Sequence, residues 1–232
     1  MALNAAVVFL SAFLLFLVQP IIAKMILPRF GGSVAVWATC LVFFQAALLL
    51  GYAFAHRLVQ NDHRRGWRMA HGALLVASLA LLPIVPAAAA PSAAPPAWQI
   101  VQLLVLTVGL PFTLLATTSP LLQAWMARNP ATRHPYRLFA VSNLASLAAL
   151  LAYPWLIEPW LPTRVQAWGW SAAFAAYVLL IGWVAWRRLP AVVAAPGSSP
   201  PVAAAREPAH DARFGSWFAL SALGSYELLA IT

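Results

Sequence analysis

Charged side chains are what this sequence has least of. Asp, Glu, Lys and Arg make up 8% of its 232 residues, where soluble domains carry about 25%. Only 5 residues are acidic, against 14 basic ones. Cysteine occurs once, as Cys40, which excludes an intrachain disulfide and a thiolate metal cluster. The five histidines, His56, His63, His71, His134 and His210, form neither H-x-x-x-H nor H-E-x-x-H, so the common zinc spacings are missing. The Phe30-Gly31-Gly32-Ser33 run has no strand before it and neither dinucleotide nor Walker spacing. No Ser/His/Asp set can be assembled. Catalytic residues, a metal site and a cofactor are therefore not expected in this segment.

What the sequence has in abundance is apolar length. Hydrophobic residues account for 63% of the chain. Five runs of about 20 residues, 3–23, 34–55, 98–118, 138–157 and 165–186, contain no Asp, Glu, Lys or Arg. A helix rises about 1.5 Å per residue, so each run is long enough for a hydrocarbon core of about 30 Å. Residues 69–85, between Arg68 and Pro86, add a sixth, and 215–232 begin a seventh. The fold class this predicts is all-α, a polytopic transmembrane helix bundle of six complete spans plus a partial seventh, in a chain expected to continue past Thr232. The first run reads as a retained span rather than a cleaved signal. No basic residue precedes Lys24, the run exceeds a signal core, and no small-x-small site closes it.

The formal charge of +9 invites a nucleic-acid reading, and its placement argues against one. Eleven of the basic residues fall in the second, fourth and sixth connections: Arg57, Arg64, Arg65, Arg68, Arg128, Arg133, Arg137, Arg187, Arg188, Arg206 and Arg213. Lys24, Arg29 and Arg164 alone fall in the odd ones. That alternation is the positive-inside pattern. It predicts a multi-pass protein of the inner membrane with a cytoplasmic N-terminus, whose partner is the lipid bilayer and not nucleic acid. The 11 tryptophans, Trp170 among them, sit near span ends or interfacial segments, where an indole keeps its body in lipid and its N–H at the headgroups.

The connections divide the chain into a six-span bundle over 1–186, a disordered cytoplasmic linker over 187–214 and the start of a further span over 215–232. The linker is rich in Pro and Ala and lacks the apolar surface to order itself. The third connection, 86–97, is a short uncharged external loop. The fourth opens at Ser119-Pro120, and its 121–128 stretch reads as a short interfacial helix. The first and fourth spans are both interrupted by Pro, and each opens a group of three. Such an arrangement suits either an inverted repeat or the ordinary frequency of Pro in membrane helices.

Polar groups inside a hydrocarbon region each need an account. Gln19, Gln45 and Asn143 fit either of two readings: amides bonding a neighbouring helix, or the lining of a cavity for a small-molecule solute. Ser142, Ser146 and Ala149 share one face of the fifth span as a packing seam. Pro20 interrupts the first span. Lys24 and Arg29 bracket a turn that Pro28 is expected to open and in which Gly31 and Gly32 permit unusual backbone. That turn is either an anion cradle or a plain turn beside a snorkelling lysine. Glu227 is the acceptor nearest Lys24 by depth, and Glu158 lies on the same side.

The run 13–56, FLLFLVQPIIAKMILPRFGGSVAVWATCLVFFQAALLLGYAFAH, resembles the N-terminal membrane region of the bacterial fused major-facilitator/spermidine-synthase-like membrane proteins. Residues 109–159 resemble it again through GLPFTLLATTSPLLQAW, HPYRLFAVSNLASL and YPWLIEP. The matching elements are Gln19, Pro20, Lys24, Phe30, Gly31, Gly32, Ser33, Phe43, Phe44 and Gln45. Glu227 departs from the neutral residue expected there. The resemblance implies a C-terminal cytoplasmic aminopropyltransferase-like domain, outside this chain, that would bind decarboxylated S-adenosylmethionine and a polyamine. Two functions follow as expectations. One is a non-catalytic membrane module anchoring or feeding that domain. The other is half of a transporter for a small amine or amino-acid-like solute.

Overall fold

The structure is a computed structural model that describes residues 2–61, 65–86, 94–127 and 136–193. Where hydrocarbon offers a backbone no partner, a helix satisfies its own N–H and C=O groups, and the described residues contain helices and no strand. They are α1 (Ala2–Phe30), α2 (Val34–Gln60), α3 (Arg65–Ser78), α4 (Pro96–Leu104), α5 (Leu110–Ala127), α6 (Tyr136–Ala152) and α7 (Thr163–Val193). A 3₁₀ turn, Leu79–Leu81, extends α3, and wide π turns at Val105–Gly109 and Tyr153–Ile157 join α4 to α5 and extend α6. Among the described residues, five segments are long and apolar enough to cross a membrane: Leu3–Phe30, Val34–Gln60, Pro96–Met126, Arg137–Ile157 and Thr163–Ala185. This is the all-α architecture that the uncharged runs predict.

The run 69–85 takes a different form. Its helix, α3, has 14 residues, about 21 Å of rise, and the chain turns extended at Leu82, ahead of Pro83. A residue before proline is pushed out of helical geometry. Ile84 nevertheless stays fully buried, its N–H bonded to the Ser171 hydroxyl of α7 at 3.2 Å.

Prolines break the helices less than expected. Pro28 does not end α1, which runs on to Phe30. The stop is Gly31, with a φ of 76° and its N–H on the Leu27 carbonyl at 2.9 Å, a left-handed cap that suits glycine. Nor does Ser119-Pro120 end the fourth span. Helix α5 passes through Pro120 to Ala127, and Leu121, Leu122 and Met126, expected on an interfacial helix, are buried. Both π turns lie at prolines, one just before Pro111 and one containing Pro154. A ring without an N–H that crowds the preceding turn is accommodated by widening it. Helix α7 continues to Val193, beyond the expected start of the linker at 187. The rest of that linker, the 215–232 span and most of the 86–97 loop lie outside the described residues.

Residues Met1–Arg188 form one unit and Leu189–Thr232 another. Within the first, α1 packs on α5 and α6, and α2 packs on α4 and α5. Side-chain meetings give the directions. Phe44 meets Phe112 and Gly51 meets Ala116, so α2 and α5 run parallel. Tyr153 meets Pro20 and Glu158 meets Lys24, so α1 and the α6 segment also run parallel. The most enclosed segments are Pro96–Met126 and Leu3–Phe30, 61% and 56% buried, against 17% for Arg137–Ile157. The centre is therefore α1 with the α4–α5 rod, and α6 is peripheral. Trp170 is a correction to the interfacial expectation. It is 2% exposed, stacks on Phe174 and donates its indole N–H to the Leu14 carbonyl at 2.8 Å. A carbonyl of α1 inside the bundle satisfies the indole N–H away from any interface.

Candidate functional site

Two features join elements far apart in sequence. The first is a clasp between the C-terminal end of α1 and the end of the α6 segment. Lys24 Nζ donates to Glu158 Oε1 at 2.7 Å, the side chains 38% and 41% exposed. One turn deeper, the Tyr153 hydroxyl donates to the Pro20 carbonyl at 3.4 Å. Local sequence sets this register. Lys24 follows Pro20 by four residues and Glu158 follows Pro154 by four, so each charge stacks one helical turn beyond its proline. The partner of Lys24 among the described residues is thus Glu158. Glu227, expected to be the nearer acceptor, lies outside them.

The second is a cavity of about 80 Å³ between α1, α2, α5 and α6, with Ser11, Leu15, Phe16, Tyr52, Ser119 and Ser142 in its wall. At roughly 10–15 Å³ per water, it has room for several water-sized groups. The Ser11 hydroxyl is held on the Val8 carbonyl at 3.0 Å, and the Ser119 hydroxyl accepts from Gln123 at 2.8 Å. The wall offers hydroxyl groups and aromatic surface but no formal charge.

The residues singled out in the sequence are not gathered into one place. Gln19 is half-buried, its amide 3.5 Å from the Leu15 carbonyl of its own helix. Gln45 and Asn143 are exposed on the outer faces of α2 and α6, and neither lines the cavity. Arg29, Pro28, Gly31 and Gly32 are exposed at the α1–α2 turn. Helix α2 begins there at Ser33 with no side-chain cap. Sequence reasoning passed over Ser11, Tyr52 and Ser119, since isolated hydroxyls in apolar runs usually bond back to their own helix. Thr113 and Thr117 do so here. Thr118 of α5 instead shares a short hydrogen bond with Tyr177 of α7, both buried. No group of His, Cys, Asp and Glu that could hold a metal ion occurs among the described residues.

Fold and site together define an all-helical protein with the helices of a multi-pass membrane protein. No protein-family profile, curated protein or solved structure matches the chain.

Proposed function

We propose that this chain is the integral-membrane module of a spermidine-synthase-like fusion protein. It has no catalysis of its own and anchors or feeds a C-terminal aminopropyltransferase-like domain outside the chain. With this goes an inner-membrane location, a cytoplasmic N-terminus, six complete spans with 69–85 as the third, and a seventh opened by 215–232. The observation that carries the reading is where the two family-like stretches, 13–56 and 109–159, lie. They pack on each other at Lys24–Glu158 and Pro20–Tyr153, at Phe44–Phe112 and at Gly51–Ala116. The resembling strings thus form the internal joint of one bundle, as a scaffold module requires. The test is to extend the coding sequence past the Thr232 codon and assay membranes for aminopropyl transfer. A downstream dinucleotide-like domain and activity that residues 1–232 alone lack support the proposal. Further spans with no soluble domain count against it.

A second reading, half of a small-solute transporter, is favoured by the hydroxyl-lined cavity. Uptake of labelled amines and amino acids into proteoliposomes tests it. Ser119→Leu fills the cavity and should abolish uptake if the cavity lies on the path; undiminished uptake removes the cavity from it.

A further inference from the structure

Among the described residues, helix α2 uses one of its faces for packing. Cys40, Phe43, Phe44, Ala47, Gly51, Ala55 and Leu58 are buried, and the packing is mainly on α4 and α5, with further contacts to α1 and, through Phe54, to α3. The opposite face carries a row at alternating spacings of four and three, Ala38, Val42, Gln45, Leu49, Tyr52 and His56, all exposed, of which Tyr52 also reaches the cavity wall. Val42 and Leu49 are each 69% exposed. The spacing averages 3.5 residues, the repeat with which two helices keep one seam in contact through a left-handed supercoil. Helix α2 supports so long a seam because its 27 residues contain no proline.

Gln45 lies near the middle of that row and of the helix. Its amide has no hydrogen-bond partner among the described residues, and hydrocarbon supplies none. A primary amide is both donor and acceptor, so it is complementary to a second copy of itself. Two copies inserted with the same topology relate by a twofold axis along the membrane normal, which sets α2 parallel to its mate and Gln45 opposite Gln45. Asn143 is likewise exposed and without a described partner. Its row on α6, however, reaches Pro154 and the π turn after a regular helix of only 17 residues, so the repeat fails there. We infer that two copies of this chain pair in the membrane along the outer face of α2, with their Gln45 amides reciprocally hydrogen-bonded on the twofold axis. The pairing rests on α2 crossing the membrane and is independent of any downstream domain.

The test is oxidative cross-linking of the full chain in membranes, in a Cys40→Ala background. Val42→Cys, Gln45→Cys and Leu49→Cys should give a species of twice the chain's mass, and the inward positions Phe43→Cys and Ala47→Cys should not. Energy transfer between labelled copies in liposomes gives a second readout. Gln45→Leu should weaken association by roughly threefold to thirtyfold, Gln45→Asn should restore part of it, and Asn143→Leu should leave it unchanged. No dimer at any α2 position overturns the inference. So does an adduct of some other mass, which would assign the face to a different membrane helix. Association lost in Asn143→Leu and kept in Gln45→Leu overturns it as well.

Discussion

Lys24 and Glu158 form a contact of 2.7 Å, yet more than a third of each side chain is exposed. Pairs so placed are screened, and about 0.2–1 kcal/mol is their usual worth. Lys24→Met and Glu158→Gln should therefore each destabilise modestly, and a double-mutant cycle read by unfolding in mixed micelles should give a coupling within that range. A coupling near zero would leave Lys24 a snorkelling charge. The Thr118–Tyr177 bond is different, because both partners are buried. Tyr177→Phe strands the Thr118 hydroxyl and should cost about 1–3 kcal/mol. Adding Thr118→Val should recover part of that loss in the same assay; a purely additive double mutant would show that the bond contributes nothing. At this scale the sequence made Lys24 visible because charges are scarce, and it placed Glu158 on the same side. Glu227, the nearer acceptor by depth, lies outside the described residues, and depth carries no information about which way a helix faces. Which way Gln45 and Asn143 face was hidden for the same reason. A helix that is apolar all round has no stripe from which an inward face can be read.

Glycine at position 51 sets how closely α2 approaches α5. A Cβ there would lie 2.6 Å from Ala116 Cβ and 2.7 Å from the Thr113 carbonyl oxygen, and the second contact is backbone that cannot rotate away. Gly51→Val should force the helices apart and destabilise by about 1–3 kcal/mol. Gly182→Ala, where a Cβ meets nothing within 4 Å, should be neutral or stabilise by up to about 1 kcal/mol. Thermal denaturation in detergent compares the two, and equal melting temperatures would contradict the close approach. The long helices were legible because hydrocarbon-length runs without charge admit few other structures. Their ends were less so. Pro28 and Pro120 suggested stops by the rules of soluble helices, but a helix interior tolerates proline where packing and widened turns absorb it. The shortness of α3 was hidden because hydropathy counts apolar residues and not helical ones. Pro83 ends the helix inside an apolar run.

At the scale of the whole chain, the parallel pairs α1 with α6 and α2 with α5 sort the charges by end. Lys24, Arg29, Glu158 and Arg164 fall at one end of the bundle, and Arg57, Arg68 and Arg137 at the other. The cavity was not legible, because it is made by helices whose neighbours the sequence does not name. The central claim is that these helices cross a membrane with the N-terminus inside. Single cysteines in a Cys40→Ala background, probed with a membrane-impermeant maleimide, test it most directly. Arg29→Cys and Arg164→Cys should label in intact cells, and Arg57→Cys and Gln60→Cys only after permeabilisation. The reverse pattern would invert the orientation, and labelling of all four in intact cells would contradict the membrane-crossing account itself.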